Sequence, residues 1–449
     1  MSRAAHGTET RIAFGASVLA SALLLVACGS DSGGSPEPPP QKPFANYNPK
    51  FKPPASEYNG PLFKLSQDYP THMPSAKELP VFFKTDFRAD WREYIMQARS
   101  YCLEGNTEVE WDVQKNKVRH WYNMPWQDYG DNGREAIHGL TREAPVRPFQ
   151  LASSQPYSEG SAYAIGYYNS FGAYTIGQVW KDHSDPDPRV ASTQGFPNGT
   201  VVCKLLFLDA PPKIVAKQVP FLVNPIEWKA YTRLTYGSEE RVVREVPLVQ
   251  MDIMVRDERA PSGWIFGTFQ YNGKLQNHPR WKNLAPIGLM WGNDPEDIKK
   301  IPVTDSQGEF PAPHPITETP INPHLEETVI NPRSSELPPT HLGWNGRLNG
   351  PVDNPLSSCM SCHMTASSPE KPLSPLFIPA EERPNSGTPE WGAWWMQWFQ
   401  NVGWKSGVLE KFMKAEFALD FSLQLSAALQ NFYQAEEGIK PENRVSALG

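Results

Sequence analysis

Val249-Gln250-Met251-Asp252-Ile253-Met254-Val255-Arg256 sets Val249, Met251, Ile253 and Val255 on one side of an extended chain and Gln250, Asp252, Met254 and Arg256 on the other. A period of two over eight residues predicts a β-strand with one buried face. The run Trp264-Ile265-Phe266-Gly267-Thr268-Phe269-Gln270-Tyr271 follows a turn at Ala260-Pro261-Ser262-Gly263 and closes at Asn272-Gly273, so the two read as a hairpin. Upstream, Phe196-Pro197-Asn198-Gly199 is a turn that launches Thr200 to Phe207, a third strand rich in β-branched and apolar residues.

Around this β region the pattern changes. Trp91, Tyr94, Ile95, Ala98 and Cys102 recur at three- and four-residue spacing, which predicts a helix over 86–103 that stops before Gly105. Residues 162–180 carry six aromatics and three glycines and read as loops and short strands. The 46 prolines are about twice the usual share, so long helices should be few. Nine of them fall between Pro302 and Pro339, marking an extended connection. Near the C-terminus, Asp420 is placed to cap an amphipathic helix bearing Phe421, Leu425, Leu429 and Phe432 on one face. The expected class is mainly β (α+β): an antiparallel sheet domain at 59–301, a Pro-rich connection at 302–342, and a loop- and helix-containing segment at 343–449.

That last segment holds Cys359-Met360-Ser361-Cys362-His363. C-x-x-C-H is the spacing at which two thiols add to the vinyl groups of one haem while the adjacent histidine ligates its iron. The N-terminus fits export to where such attachment occurs. Arg3 and Arg11 precede an apolar run from Ile12 to Val26 that ends in Leu25-Val26-Ala27-Cys28, a lipoprotein signal over 1–27 with Cys28 as the lipidated residue. Residues 28–58 are a Pro/Ser/Gly-rich tether. The outer membrane, on its periplasmic side, is the expected location. With Cys28 taken by lipid and Cys359 and Cys362 by haem c, one covalent group per chain, Cys102 and Cys203 remain as a pair free to oxidise. A disulfide and two buried thiols are both open readings.

His363 is the expected proximal ligand. For the sixth position Met396, flanked by Trp394, Trp395 and Trp398, is the first candidate, with core packing as the plainer reading. Met360 and Met364 lie too near the attachment loop to reach the far side, and Met413, His324 and His341 are further candidates. Arg134, Glu135 and His138 belong to a polar loop that faces the haem or is simply hydrogen-bonded to itself. The formal charge of −7 disfavours nucleic acid as a partner, and no G-x-x-x-x-G-K, H-E-x-x-H or G-x-S-x-G motif supports a nucleotide, zinc-peptidase or serine-hydrolase reading.

The strand opened by Phe196 to Thr200 and carrying Lys204, the strand ending Met254-Val255-Arg256-Asp257, the strand opened by Gly263-Trp264 and the late C-x-x-C-H resemble the cytochrome P-460 and cytochrome c-prime-beta family, over about a fifth of the chain. The resemblance implies an antiparallel β domain holding one pentacoordinate or weakly six-coordinate haem, often as a homodimer. Some members cross-link a lysine to the haem edge and oxidise hydroxylamine; Lys204 is the candidate by position, its ordinary reading being a solvent-facing strand residue. The chain is more than twice the family's usual length. Three functions follow as expectations: single-electron transfer between periplasmic redox partners by a membrane-anchored monohaem cytochrome; oxidation of a small nitrogen compound or peroxide; and gas binding.

Overall fold

A computed structural model describes residues 41–148, 150–152, 160–210, 217–295, 317–325, 342–354, 357–369, 390, 394, 396–403 and 417–436. The signal and Cys28, most of the Pro-rich connection with His341, and Met413, Trp391, Trp395 and Trp404 lie outside the described residues. From Lys42 onward the chain forms one compact unit.

The predicted antiparallel sheet is present and has eight strands. Its path runs β1 (Trp121–Tyr122), β3 (Ser161–Asn169), β4 (Val201–Leu208), β6 (Arg241–Arg256), β7 (Trp264–Tyr271) and β8 (Leu284–Met290), with β2 (Thr141–Pro145) on β3 and β5 (Glu227–Arg233) on β6. The 16-residue β6 is the hinge of this plan: its first half pairs with β5, and its second half lies between β4 and β7. The hairpin is as read, with Arg256 opposite Trp264.

The reading of β6 is corrected. Both faces of β6 are covered, not one. Val249, Met251, Ile253 and Val255 enter a core with Tyr94, Ile95 and Cys102 of α1 (Trp91–Leu103), while described residues after 342 pack over the opposite face, where Met254, Phe266 and Met290 meet Met360, Met364 and Met396. Gln250, on the side that alternation assigned to water, is fully buried. Alternation reports which residues differ across a strand, and a second layer of protein can cover the polar side as readily as solvent can.

Helix α1 starts at 91, not 86, because Asp90 caps it by accepting the Glu93 N–H at 3.0 Å. It is fastened to the sheet by a Cys102–Cys203 disulfide, which closes the choice between a bridge and two thiols. Where loops and short strands were expected, residues 161–179 form one nine-residue strand, β3, followed by the helix α2 (Ser170–Val179); all nine residues of β3 are buried, which erased the alternation. After a short α3 (Arg189–Thr193), the C-terminal layer contributes α4 (Cys359–His363), the pair β9 (Ser367–Ser368) and β10 (Phe417–Ala418), and α5 (Leu423–Glu436). Leu425, Leu429 and Phe432 are buried as predicted, but the cap of α5 is Ser422, whose Oγ accepts the Leu425 N–H at 3.3 Å. Asp420 does something else.

Candidate haem-attachment site

The C-x-x-C-H run is a single turn of helix. Ser358 caps it: Ser358 Oγ accepts the Ser361 N–H at 3.1 Å, and Ser361 Oγ accepts the Ser358 N–H at 2.8 Å. The turn is held from behind by Cys359 N–H to Leu348 O at 3.1 Å, and its lead-in by Trp344 N–H to Ser357 O at 2.9 Å. Positions i, i+3 and i+4 share a helix face, so Cys359, Cys362 and His363 point the same way and all three remain half-buried. Met360 and Met364 point inward into the core.

Neither motif cysteine is in a disulfide. Burial, with the charges of Asp252 and Asp353, pushes the Cys359 thiol well above its ordinary value. A dithiol oxidoreductase needs the opposite shift.

His363 is oriented by a carbonyl. Its Nδ1 lies 2.9 Å from Phe421 O, which can only accept, so Nδ1 carries the proton and Nε2 keeps its lone pair. Burial holds the imidazole pKa down at about 4, with the Lys204 charge acting in the same sense, and the ring is neutral at ordinary pH. The carbonyl is aimed by two consecutive left-handed residues, Asp420 (φ 44°) and Phe421 (φ 64°). Such backbone costs on the order of 1–3 kcal/mol per residue. Asp420 offsets that cost by accepting from Phe196 N–H at 2.6 Å and Trp264 Nε1–H at 2.7 Å, with Arg256 Nε 3.6 Å away. Two thiols and a neutral imidazole with an available Nε2, all on one face, fit the attachment and proximal ligation of haem c.

The sheet beneath the motif is polar at one row. Gly166, Lys204, Asp252, Thr268 and Gly288 are register partners across β3, β4, β6, β7 and β8. Lys204 does not face open solvent: its side chain is 26 % exposed and its ammonium is 3.1 Å from Glu143. Burial alone would lower its pKa, but Glu143, Asp353 and Asp252 outweigh it and hold the pKa above the ordinary lysine value. Asp252 accepts from Thr268 Oγ1 at 3.0 Å, and that hydroxyl is 3.8 Å from Cys359 Sγ. Burial and the neighbouring Asp353 push Asp252 up to about 7, and burial raises Asp353 as well.

Met396 is fully buried with its sulfur 3.8 Å from Arg347 Nη2, so ligating iron would require leaving that contact. His324 is exposed, with its N–H bonded to Asn322 Oδ1. Glu135 accepts the N–H groups of Ile137, His138, Leu140 and Tyr231, and His138 stacks on Trp228 at 4.7 Å. An open cleft of about 880 Å3 lined by Leu79, Phe82, Tyr101, Arg119 and Phe171 contains none of these groups, and Glu104 takes the Arg119 charge at 2.6 Å. Glu143, Asp252, Asp353 and Gln250, which gather beside Lys204, are side chains that sequence reasoning did not single out. The signal available for Asp252 was its alignment with Lys204, which needs the strand register. Compared with models of known families, with characterised proteins and with solved structures, the chain matches none.

Proposed function

We propose that this chain is a monohaem c-type cytochrome, lipid-anchored through Cys28 at the periplasmic face of a bacterial membrane, that passes single electrons between partners. The observation that carries the reading is the shared face of Cys359, Cys362 and His363, with Nδ1–H tied to Phe421 O and Nε2 left to bind a metal. The two thiols would hold the group by adding S–H across its vinyl bonds, which needs no oxidant, and bound haem supplies reversible one-electron chemistry. The Cys102–Cys203 disulfide supports an exported chain.

The test is a pyridine haemochrome spectrum with intact mass. One added haem per chain that acid-acetone cannot extract is expected, and it should vanish with Cys359→Ala plus Cys362→Ala. Extractable haem, or none, overturns the reading. Cys28→Ser should shift the protein from the membrane fraction to the soluble fraction.

A second reading, haem oxidation of a small nitrogen compound or peroxide, is favoured by one observation: Lys204, the lysine singled out by the cytochrome P-460 resemblance, stands on the sheet face that meets the motif. A red-shifted Soret band abolished by Lys204→Ala, with uptake of carbon monoxide by the reduced protein, would select it. A low-spin ferric spectrum with no carbon monoxide uptake selects electron transfer.

A further inference from the structure

Behind the Cys359 thiol lies a knot of charge that one-electron transfer does not by itself require. Asp252 of β6 and Asp353 of the loop before α4 share one amide: Gln250 Nε2 donates to Asp252 Oδ1 and Oδ2 at 2.9 and 2.8 Å and to Asp353 Oδ2 at 2.9 Å. The amide is not free to turn away, because Val352 N–H donates to its Oε1 at 3.0 Å. Gly350 lets the loop close down on it; a Cβ there would sit 2.0 Å from Gln250 Nε2. An NH2 group has two hydrogens. Three carboxylate oxygens around it therefore belong to two acids held so close that they ionise together only with difficulty.

The groups facing the pair do not cancel its charge. Lys204 faces it from β4 but is salt-bridged to Glu143 of β2; Thr268 of β7 donates to Asp252, Gly350 N–H donates to Asp353 at 3.0 Å, and the neutral Cys359 thiol approaches from α4. Three carboxylates thus meet one ammonium. An independent observation lies directly across the sheet from Gln250. Gln270 is fully buried, and among the described residues neither its Nε2 nor its Oε1 has a hydrogen-bond partner. A buried amide with both ends unpartnered is a polar position that an internal water can fill.

We propose that Asp252 and Asp353, with a water held at Gln270, form a one-proton store coupled to electron transfer at the adjoining haem. The inference rests on the haem-attachment reading. When an electron arrives from a one-electron donor protein, the negative charge added beside Cys359 raises the proton affinity of the pair. One proton from solvent water then forms an O–H bond on a carboxylate oxygen. Oxidation breaks that bond and returns the proton, so electron and proton balance one for one.

The test is the midpoint potential of the intact protein between pH 5 and 9, on material first shown by pyridine haemochrome to hold one covalent haem. The potential of the wild type should fall with pH across the neutral range, at up to about 59 mV per unit, the one-electron equivalent of a tenfold change. Asp252→Asn and Asp353→Asn should each flatten it. A second measurement needs no variant: the reduced-minus-oxidised infrared difference spectrum of the wild type should gain a protonated carboxyl band that shifts in D2O. A flat potential, a slope that survives both substitutions, or a difference spectrum without that band overturns the proton store while leaving the haem assignment standing. Absence of covalent haem overturns both, and the haemochrome reports it separately.

Discussion

His363 is held by a residue 58 positions away, and the chain of cause runs through Asp420. Its carboxylate is buried, which raises its pKa despite the Arg256 charge, and it collects a backbone N–H, an indole N–H and a guanidinium. Asp420→Ala leaves Phe196 N–H and Trp264 Nε1–H without their acceptor, takes the counter-charge from Arg256 and removes what holds the left-handed turn. A loss of about 3–5 kcal/mol in urea unfolding is expected, together with, on the proposed reading, a shifted haem potential as Phe421 O leaves Nδ1. An unchanged potential would show that the carbonyl is held by Phe421 alone. At this scale the sequence was legible only where chemistry follows spacing. Cys359, Cys362 and His363 stand within five residues, whereas Trp264 and Asp420 meet across 156, and no local pattern records such a contact.

Among the elements, α4 depends on its approach as much as on its cap. Gly343 lies against the Ser357 carbonyl so closely that a Cβ would fall 1.8 Å from the oxygen. That oxygen is backbone and the acceptor for Trp344 N–H, so it cannot swing aside cheaply. Gly343→Ala should therefore cost about 2–3 kcal/mol and, on the proposed reading, reduce covalent haem incorporation, read as the haem-to-protein ratio. Strands β4 and β7 and the second half of β6 were readable because each has a flanking turn or apolar or alternating side chains; the first half of β6, Arg241 to Leu248, was not read. Strand β8 was not, since Pro286 and Gly288 inside it are residues that usually break strands. Strand β5 carried a usable signal in its alternating burial, with Trp228, Ala230 and Thr232 inward, and it was passed over among charged neighbours.

For the molecule as a whole, pH should act through buried carboxyls. Asp209, 5 % exposed and accepting the Ser161 N–H at 3.2 Å, is pushed by burial up to about 7. Between its ordinary value near 3.8 and about 7 the folded chain keeps a proton that the unfolded chain has lost. Its contribution is thus complete below the lower value and is lost as pH rises through the upper one, by up to about 4 kcal/mol. Asp209→Asn should make the stability difference between pH 5 and pH 8 smaller than in the wild type, as measured by urea midpoints; an equal difference would refute the assignment. Reducing or deleting the Cys102–Cys203 bridge, which spans 101 residues, should lower stability by about 4 kcal/mol.

The same bridge has a consequence for maturation. On the proposed reading one chain must carry two cysteine pairs to opposite ends of sulfur chemistry: Cys102 and Cys203 give up electrons, while Cys359 and Cys362 must retain their hydrogens, because only S–H adds to a vinyl group. Order and access can separate the two demands. Cys102 and Cys203 emerge first and end completely enclosed, whereas the later pair stays partly reachable. A thiol reductant outside the cytoplasm can then reopen the motif without touching the buried bond. In a host lacking that reductant, the expected product is a folded, colourless chain with a second, short-range Cys359–Cys362 bridge, detectable as a two-dalton deficit in the tryptic peptide that contains the motif.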